Sequence, residues 1–268
     1  MPGRARGPVH AASALLRSTE RAVQGVRQGD GLVAFLEIAG EVFEQVWEAR
    51  FAAVVALGVD NRRAVEPAAE CLSQAINAVV ASFGDRDPKE HLAIAAWREA
   101  FRELGWSPST YQSSVEALVR RTLKGKPPPS INPAVDLANS VSLRYLVPIG
   151  AHDLGTAPLG LTVRLARPGD RFLPMGDGPE EVPEPGEIVY AHGSDVRTRR
   201  WVWRQSRTGL VTPGTTDVLF PIDGFAHVTE GALHLAAAEL ATLVEELLGG
   251  EVRVWWLDPA SPQAPPSD

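Results

Sequence analysis

The sequence predicts an α+β fold, with a β-sandwich-type core flanked by helices, on three observations. Helical periodicity dominates residues 66–145, and short strand-like runs between Pro and Gly turns dominate from residue 160 onwards. The two kinds of element come in blocks instead of alternating, which separates α+β from α/β. With 268 residues, 44% of them hydrophobic, the chain can bury one large core or two small ones.

Residues 1–31 are rich in Arg, Gln and Gly, with a weakly amphipathic stretch over Leu15–Val26, and read as an N-terminal helical appendage or loose tail. The folded unit is expected over 32–257. It opens with two apolar runs that read as strands, Val33–Ile38 and Phe51–Val59. Glu66–Phe83 is a helix, because Ala69, Leu72, Ala75, Ile76 and Val79 recur at helical spacing. A second helix runs from about Lys89 to Leu104 and stops at Gly105. Ser113–Lys124 is a third, with a capping box at Ser113–Glu116 and basic Arg120, Arg121 and Lys124 towards its carboxyl end. Three prolines then force an extended link before a helix over Asn132–Tyr145. Strands follow at Gly160–Ala166, Glu187–Ala191, Val196–Trp203 and Asp217–Ile222, then a helix at Glu230–Leu248 and a strand at Val252–Leu257. The Pro/Ser/Ala-rich segment 258–268 reads as a disordered tail.

Apolar runs are short and interrupted by Arg or Glu, far from the roughly 20 residues a membrane span needs, and the amino terminus lacks a signal-peptide pattern. The single cysteine, Cys71, cannot close an internal disulfide, which points to a reducing cytoplasm and excludes a cysteine-built zinc site. A net charge of −7 argues against a general nucleic-acid coat and against DNA as a partner, while leaving room for one local basic patch. No P-loop, GxGxxG, GxSxG or HExxH motif is present, and no two histidines have zinc-ligand spacing, so neither a cofactor nor a metal is expected. Only His152, beside Asp153, has a neighbour able to orient an imidazole.

Two constellations carry chemical information. Ser130, Asn132, Asp136, Asn139 and Ser140 place short polar side chains in an otherwise apolar segment, with Asp136, Asn139 and Ser140 on one helix face. They form either a binding surface or a cap with internal hydrogen bonds. Arg199, Trp201, Trp203, Arg204 and Gln205 lie in the second. Read as a strand, it sends Arg199, Trp201 and Trp203 to one face and Arg200 and Arg204 to the other. Interleaved Arg and Trp suit phosphate contact and ring stacking, or equally a half-buried strand with indoles inside.

In this order the segments resemble the B3/B4 editing domain of the phenylalanyl-tRNA synthetase beta subunit. Val135, Asp136 and Asn139, followed by Pro148 and Asp153-Leu154, match its "VDxxN…PxxxxDL" stretch; Leu161–Arg164, Gly169-Asp170 and Thr215–Leu219 fall where it has a strand, a turn and a strand. The likeness to solo B3/B4 proteins is greater, through Ile94–Phe101, Ser114–Arg121, Pro129–Asp136, Pro183–Tyr190 and Arg199–Arg204. The resemblance spans about Phe51–Phe225.

It implies a B3/B4-like fold and, as activity, trans-editing: hydrolysis of the ester that joins a wrong amino acid to tRNA, the second sieve of a double sieve. Asn139 is then the expected catalytic residue. Ser130, Asn132, Asp136, Ser140, His152, Arg199, Trp201, Trp203, Arg204 and Gln205 are the expected substrate contacts, with both constellations facing one cavity. The partner is tRNA or aminoacyl-tRNA, held weakly with a salt slope of roughly −2 to −5; a non-catalytic binder of tRNA or free amino acid is the alternative. Departures from the synthetase fall in the pocket itself. Gly150 stands for its histidine, Ala138 for its threonine, and the glutamate that reads a tyrosine hydroxyl has no counterpart, Gln205 or Ser206 lying in that region. Tyrosine is therefore not the expected substrate.

Overall fold

A computed structural model describes residues 34–266; the expected N-terminal appendage lies outside them. Two sheets are present. The first has the order β11-β1-β4-β6-β7-β5, with β8 added on β7: β1 Leu36–Ile38, β4 Leu161–Leu165, β5 Arg171–Phe172, β6 Ile188–His192, β7 Asp195–Arg199, β8 Arg204–Gln205 and β11 Gln263–Ala264. The second has the order β10-β2-β9-β3: β2 Ala49–Leu57, β3 His152–Asp153, β9 Val218–Phe225 and β10 Glu251–Leu257. Six described helices surround them: α1 Gly40–Gln45, α2 Val65–Phe83, α3 Leu92–Glu103, α4 Ser114–Leu123, α5 Pro133–Tyr145 and α6 Glu230–Leu248.

The two-residue period of β2 divides the core. Phe51, Ala53 and Val55 join a cluster with Leu36, Leu161, Ile188 and Tyr190 of the first sheet and with Trp97, Trp106 and Phe101. Ala52, Val54 and Ala56 face the other way, onto Leu137 and Val141 of α5 and Leu233, Leu240 and Val244 of α6. The second sheet is thus apolar on both faces, and the strand reads as a continuous buried run. Cys71 is a half-buried α2 residue at the edge of this second cluster.

Three expectations need correcting. Segment 258–266 is not a loose tail: β11 pairs antiparallel with β1, and the Ala264 carbonyl accepts from Phe35 N at 2.8 Å. The Val196–Trp203 run is not one strand. It ends at Arg199, and Arg200 and Trp201 take φ of +42° and +61°, so inside/outside alternation is lost after Arg199. The capping box of α4 is half made: Ser113 Oγ accepts from Glu116 N, but the Glu116 carboxylate is used by Arg98 and Arg120, both at 2.8 Å.

The α6–β10 connection shows how tightly the sheet edge is set. Gly250 has φ +81°, and a Cβ there would lie 2.4 Å from the Leu57 carbonyl oxygen. Gly250→Ala is expected to cost about 2 kcal/mol or more, from backbone strain and that clash together. Urea unfolding monitored by tryptophan fluorescence measures it, and a loss under about 0.5 kcal/mol contradicts the packing described.

Candidate functional site

A cavity of about 70 Å³ opens between the sheets. Its lining includes Gly150, His152, Tyr190, Trp201, Pro221 and Asp223, with Ser114, Trp203, Arg204 and Gln205 also contributing. Trp203, Arg204 and Gln205 are half-buried and form its accessible side, whereas His152, Tyr190, Trp201 and Asp223 are buried. The volume admits a few waters or one small group, well short of the roughly 300 Å³ of a drug-sized site.

Asp223, near the end of β9, forms the floor. Its Oδ1 accepts from Tyr190 Oη at 2.6 Å and from Trp201 Nε1 at 2.7 Å. Among the described residues, Oδ2 has no hydrogen-bond partner. Burial pushes the carboxyl up to about 7, opposed by the two donors; no cation is close enough to lower it. Tyr190, buried beside this carboxylate, is raised well above its usual value. The turn that delivers the indole is held from several sides. Trp201 N donates to the Ile188 carbonyl, and its ring meets Trp97 at 4.8 Å and Phe225 at 5.7 Å. The Arg200 guanidinium covers Tyr111 at 4.0 Å and pairs with Glu184 and Glu187.

His152 stacks on Tyr190 with ring centroids 6.0 Å apart, and its Nδ1 is buried without a partner. Burial, helped by Arg197, depresses it to about 3, so the imidazole is neutral at physiological pH. Asp153 does not orient it. Neighbours on a strand point apart, and the Asp153 carboxylate takes Gly155 N and Thr215 Oγ1. Gly150 leaves the imidazole room, since a Cβ there would stand 3.1 Å from both His152 Nε2 and Pro221 Cγ.

The structure divides the expected site residues. His152, Trp201, Trp203, Arg204 and Gln205 come together in the cavity; Ser130, Asn132, Asp136, Asn139 and Ser140 do not line it, so the single shared cavity is not formed. Most of those α5 groups serve the helix. Asn132 caps it through Val135 N and bonds Asn61 and the Val211 carbonyl; Asp136 accepts from Ser130 Oγ and Ile131 N; Ser140 bonds the Leu137 carbonyl. Asn139 is half-buried on α5, away from the cavity lining. Arg199 is buried between Glu187 and Glu181 and offers no phosphate contact. Trp201, at 0% exposure, cannot stack on a nucleobase. Sequence reasoning missed Asp223 and Tyr190. The available signal was a lone acid in the wholly apolar run 218–225. Among the described residues, no cluster of three His, Cys, Asp or Glu side chains could hold a metal ion, and no helix is long and apolar enough to cross a membrane.

Asp223 and His152 set opposing pH dependences. Asp223 is raised in the folded state, so its contribution is fully present below about 4 and is lost as pH climbs to about 7. His152 is depressed, so its contribution is present above about 6.5 and is lost as pH falls towards 3. The two offset each other in the wild type across pH 4–6.5. Asp223→Asn is expected to unmask the histidine, with stability rising steeply from pH 4 to 6.5, while His152→Gln gives the reverse slope. Denaturant midpoints across that range test this, and parallel profiles for all three proteins contradict it.

Comparison with known proteins adds the family. The B3/4 domain model matches residues 96–249. No curated protein matches the sequence. Among solved structures, an N-terminal fragment of the phenylalanyl-tRNA synthetase beta-subunit from Pyrococcus horikoshii is similar at 14% identity and a TM-score of 0.41, with 85% of this chain and 53% of that chain covered. The chain thus spans about half the length of that fragment. The family model covers more than half of this sequence and takes in α4, α5, β9 and every residue lining the cavity: the chain belongs to the B3/4 domain family.

Proposed function

We propose that the chain receives the aminoacyl end of a tRNA in the Asp223 cavity and hydrolyses the ester of a small, wrongly attached amino acid. The observation that carries this reading is the buried His152 Nδ1, left without a partner at a small cavity whose floor is the Asp223 carboxylate with both of its donors on Oδ1. Buried polar atoms are nearly always satisfied, so such a group calls for a ligand or water. The neutral imidazole can accept a hydrogen bond from a water on the side that Gly150 leaves open, and that water is the attacking group. Its oxygen bonds the ester carbonyl carbon, the ester C–O bond breaks, and the ribose hydroxyl leaves with the proton. Membership of the B3/4 domain family, together with the motif resemblance to the synthetase editing domain, supports tRNA as the carrier.

Charge placement supports the same partner. Ser114 lines the cavity and begins α4, and the exposed Arg121, Lys124 and Lys126 lie at and beyond the far end of that helix. At 1.5 Å per residue, Lys124 stands roughly 15 Å from the cavity along the helix axis, a span of a few nucleotides. Arg120 is not part of this patch, because Glu116 and Asp87 engage it. A second reading, a binder of free small amino acids without hydrolysis, is favoured by the small volume of the cavity.

Deacylation of a panel of mischarged tRNAs tests the activity. Glycine-, alanine- or serine-sized esters are expected to be cleaved and tyrosyl esters spared. Turnover of none of them, by protein that binds small amino acids, establishes the second reading. Replacing Arg121, Lys124 and Lys126 by Ala is expected to weaken tRNA binding and to reduce the salt slope by about 2–3 units. An unchanged slope removes the α4 patch from the interface.

A further inference from the structure

The floor of the cavity has an unbalanced charge. Asp223 is 2% exposed, and both of its protein donors, the Tyr190 hydroxyl and the Trp201 indole, are neutral and converge on Oδ1. A buried carboxylate is normally paired with a cation. The charged and titratable groups on the surrounding elements are all occupied or neutral. Arg204 is bound by Glu181 and stacked over Trp203 at 4.6 Å. Arg197 is committed to the hydroxyl and carbonyl of Thr156. Arg50, beside the β2 residue that pairs with Asp223, reaches Glu230 and the Ala49 carbonyl. His152 is uncharged. The rest of the lining is uncharged: the polar Ser114, Thr198 and Gln205, and aromatic or apolar groups such as Tyr190, Trp201 and Trp203, around a volume too small for a large side chain.

We propose that the cavity is a recognition site for a small organic ammonium, with the Asp223 carboxylate as its counter-ion and the α-ammonium of an amino acid as the group that enters. An ammonium supplies the missing charge, donates to Oδ2, and sits among aromatic rings that favour cations. Resting on the proposed reading of this cavity, the inference assigns the orientation of the substrate: amine inward, acyl carbon towards the half-buried Arg204 and Gln205. It also defines what is refused. An N-blocked aminoacyl group has no cation to offer, and binding it would leave the carboxylate buried and unpaired.

Calorimetric titration of the intact protein tests this with simple probes. L-Alaninamide is expected to bind at least tenfold more tightly than N-acetyl-L-alaninamide, and Asp223→Asn is expected to lower alaninamide affinity at least tenfold. Ethylammonium stays charged across the range, as a lysine side chain does, with a pKa of about 10.4. Protons compete with it for Asp223, so its affinity should fall roughly tenfold per pH unit below 7 and level off above. If Asp223→Asn fails to fold, the wild-type pH series carries the test alone. L-Alanine separates the two sources of the amine: tighter binding than alaninamide identifies the free amino acid, weaker binding the acylated one, and either result supports an ammonium site. Equal affinity for the acetylated probe, a pH-independent affinity, or an unchanged affinity in folded Asp223→Asn overturns it. Ammonium binding by protein that deacylates nothing defeats only the hydrolase reading; deacylation without ammonium binding defeats only the ammonium site.

Discussion

Asp223 joins the two sheets by a buried polar contact at the floor of the cavity. Its strand, β9, belongs to the four-stranded sheet, while Tyr190 sits on β6 of the other sheet and Trp201 on the turn that follows β7. Apolar packing alone tolerates sliding and repacking. Two hydrogen bonds onto one carboxylate oxygen do not, because a misplaced donor leaves a buried charge unsatisfied. The path of the 199–204 turn and the shape of the cavity are tied to satisfying that one oxygen.

Seen this way, the left-handed conformations of Arg200 and Trp201 have a physical purpose. Non-glycine residues avoid positive φ, and two in succession are costly. The turn survives because its side chains are over-determined. The indole is enclosed by Trp97, Phe51 and Phe225, and the guanidinium of Arg200 lies between Tyr111 and two glutamates. The Glu181, Glu184 and Glu187 carboxylates therefore serve the site indirectly, by holding the arginines that hold the turn.

Much of the fold was legible from the sequence because it rests on local patterning. The helices over 65–83, 133–145 and 230–248 and the apolar strands around 51–57 and 218–225 follow directly from period 3.6 or from continuous burial. The short pairings at 152–153, 171–172 and 263–264 were not, since two-residue strands exist only through their partners. The candidate site was half legible. His152, Trp203, Arg204 and Gln205 stood out by type and family pattern. Asp223 did not, because a single acid in an apolar strand gains meaning only when Tyr190 and Trp201 reach it from 33 and 22 residues away. The α5 polar cluster misled for the converse reason. Caps and buried helix-to-loop bonds use the same Asn, Asp and Ser residues as a binding surface does.

The order of strands in the second sheet bears on how the polypeptide is made. β2 is buried on both faces, yet its two neighbours are β9 and β10, which begin only at Val218 and Glu251. During translation at about 5–20 residues per second, that apolar segment leaves the ribosome long before either neighbour exists. A nine-residue hydrophobic strand with both edges open attracts self-association. In a nascent chain β2 therefore stays without either strand partner until the carboxyl-terminal third has emerged, and truncation before residue 218 is expected to leave an aggregation-prone strand however well the helices form.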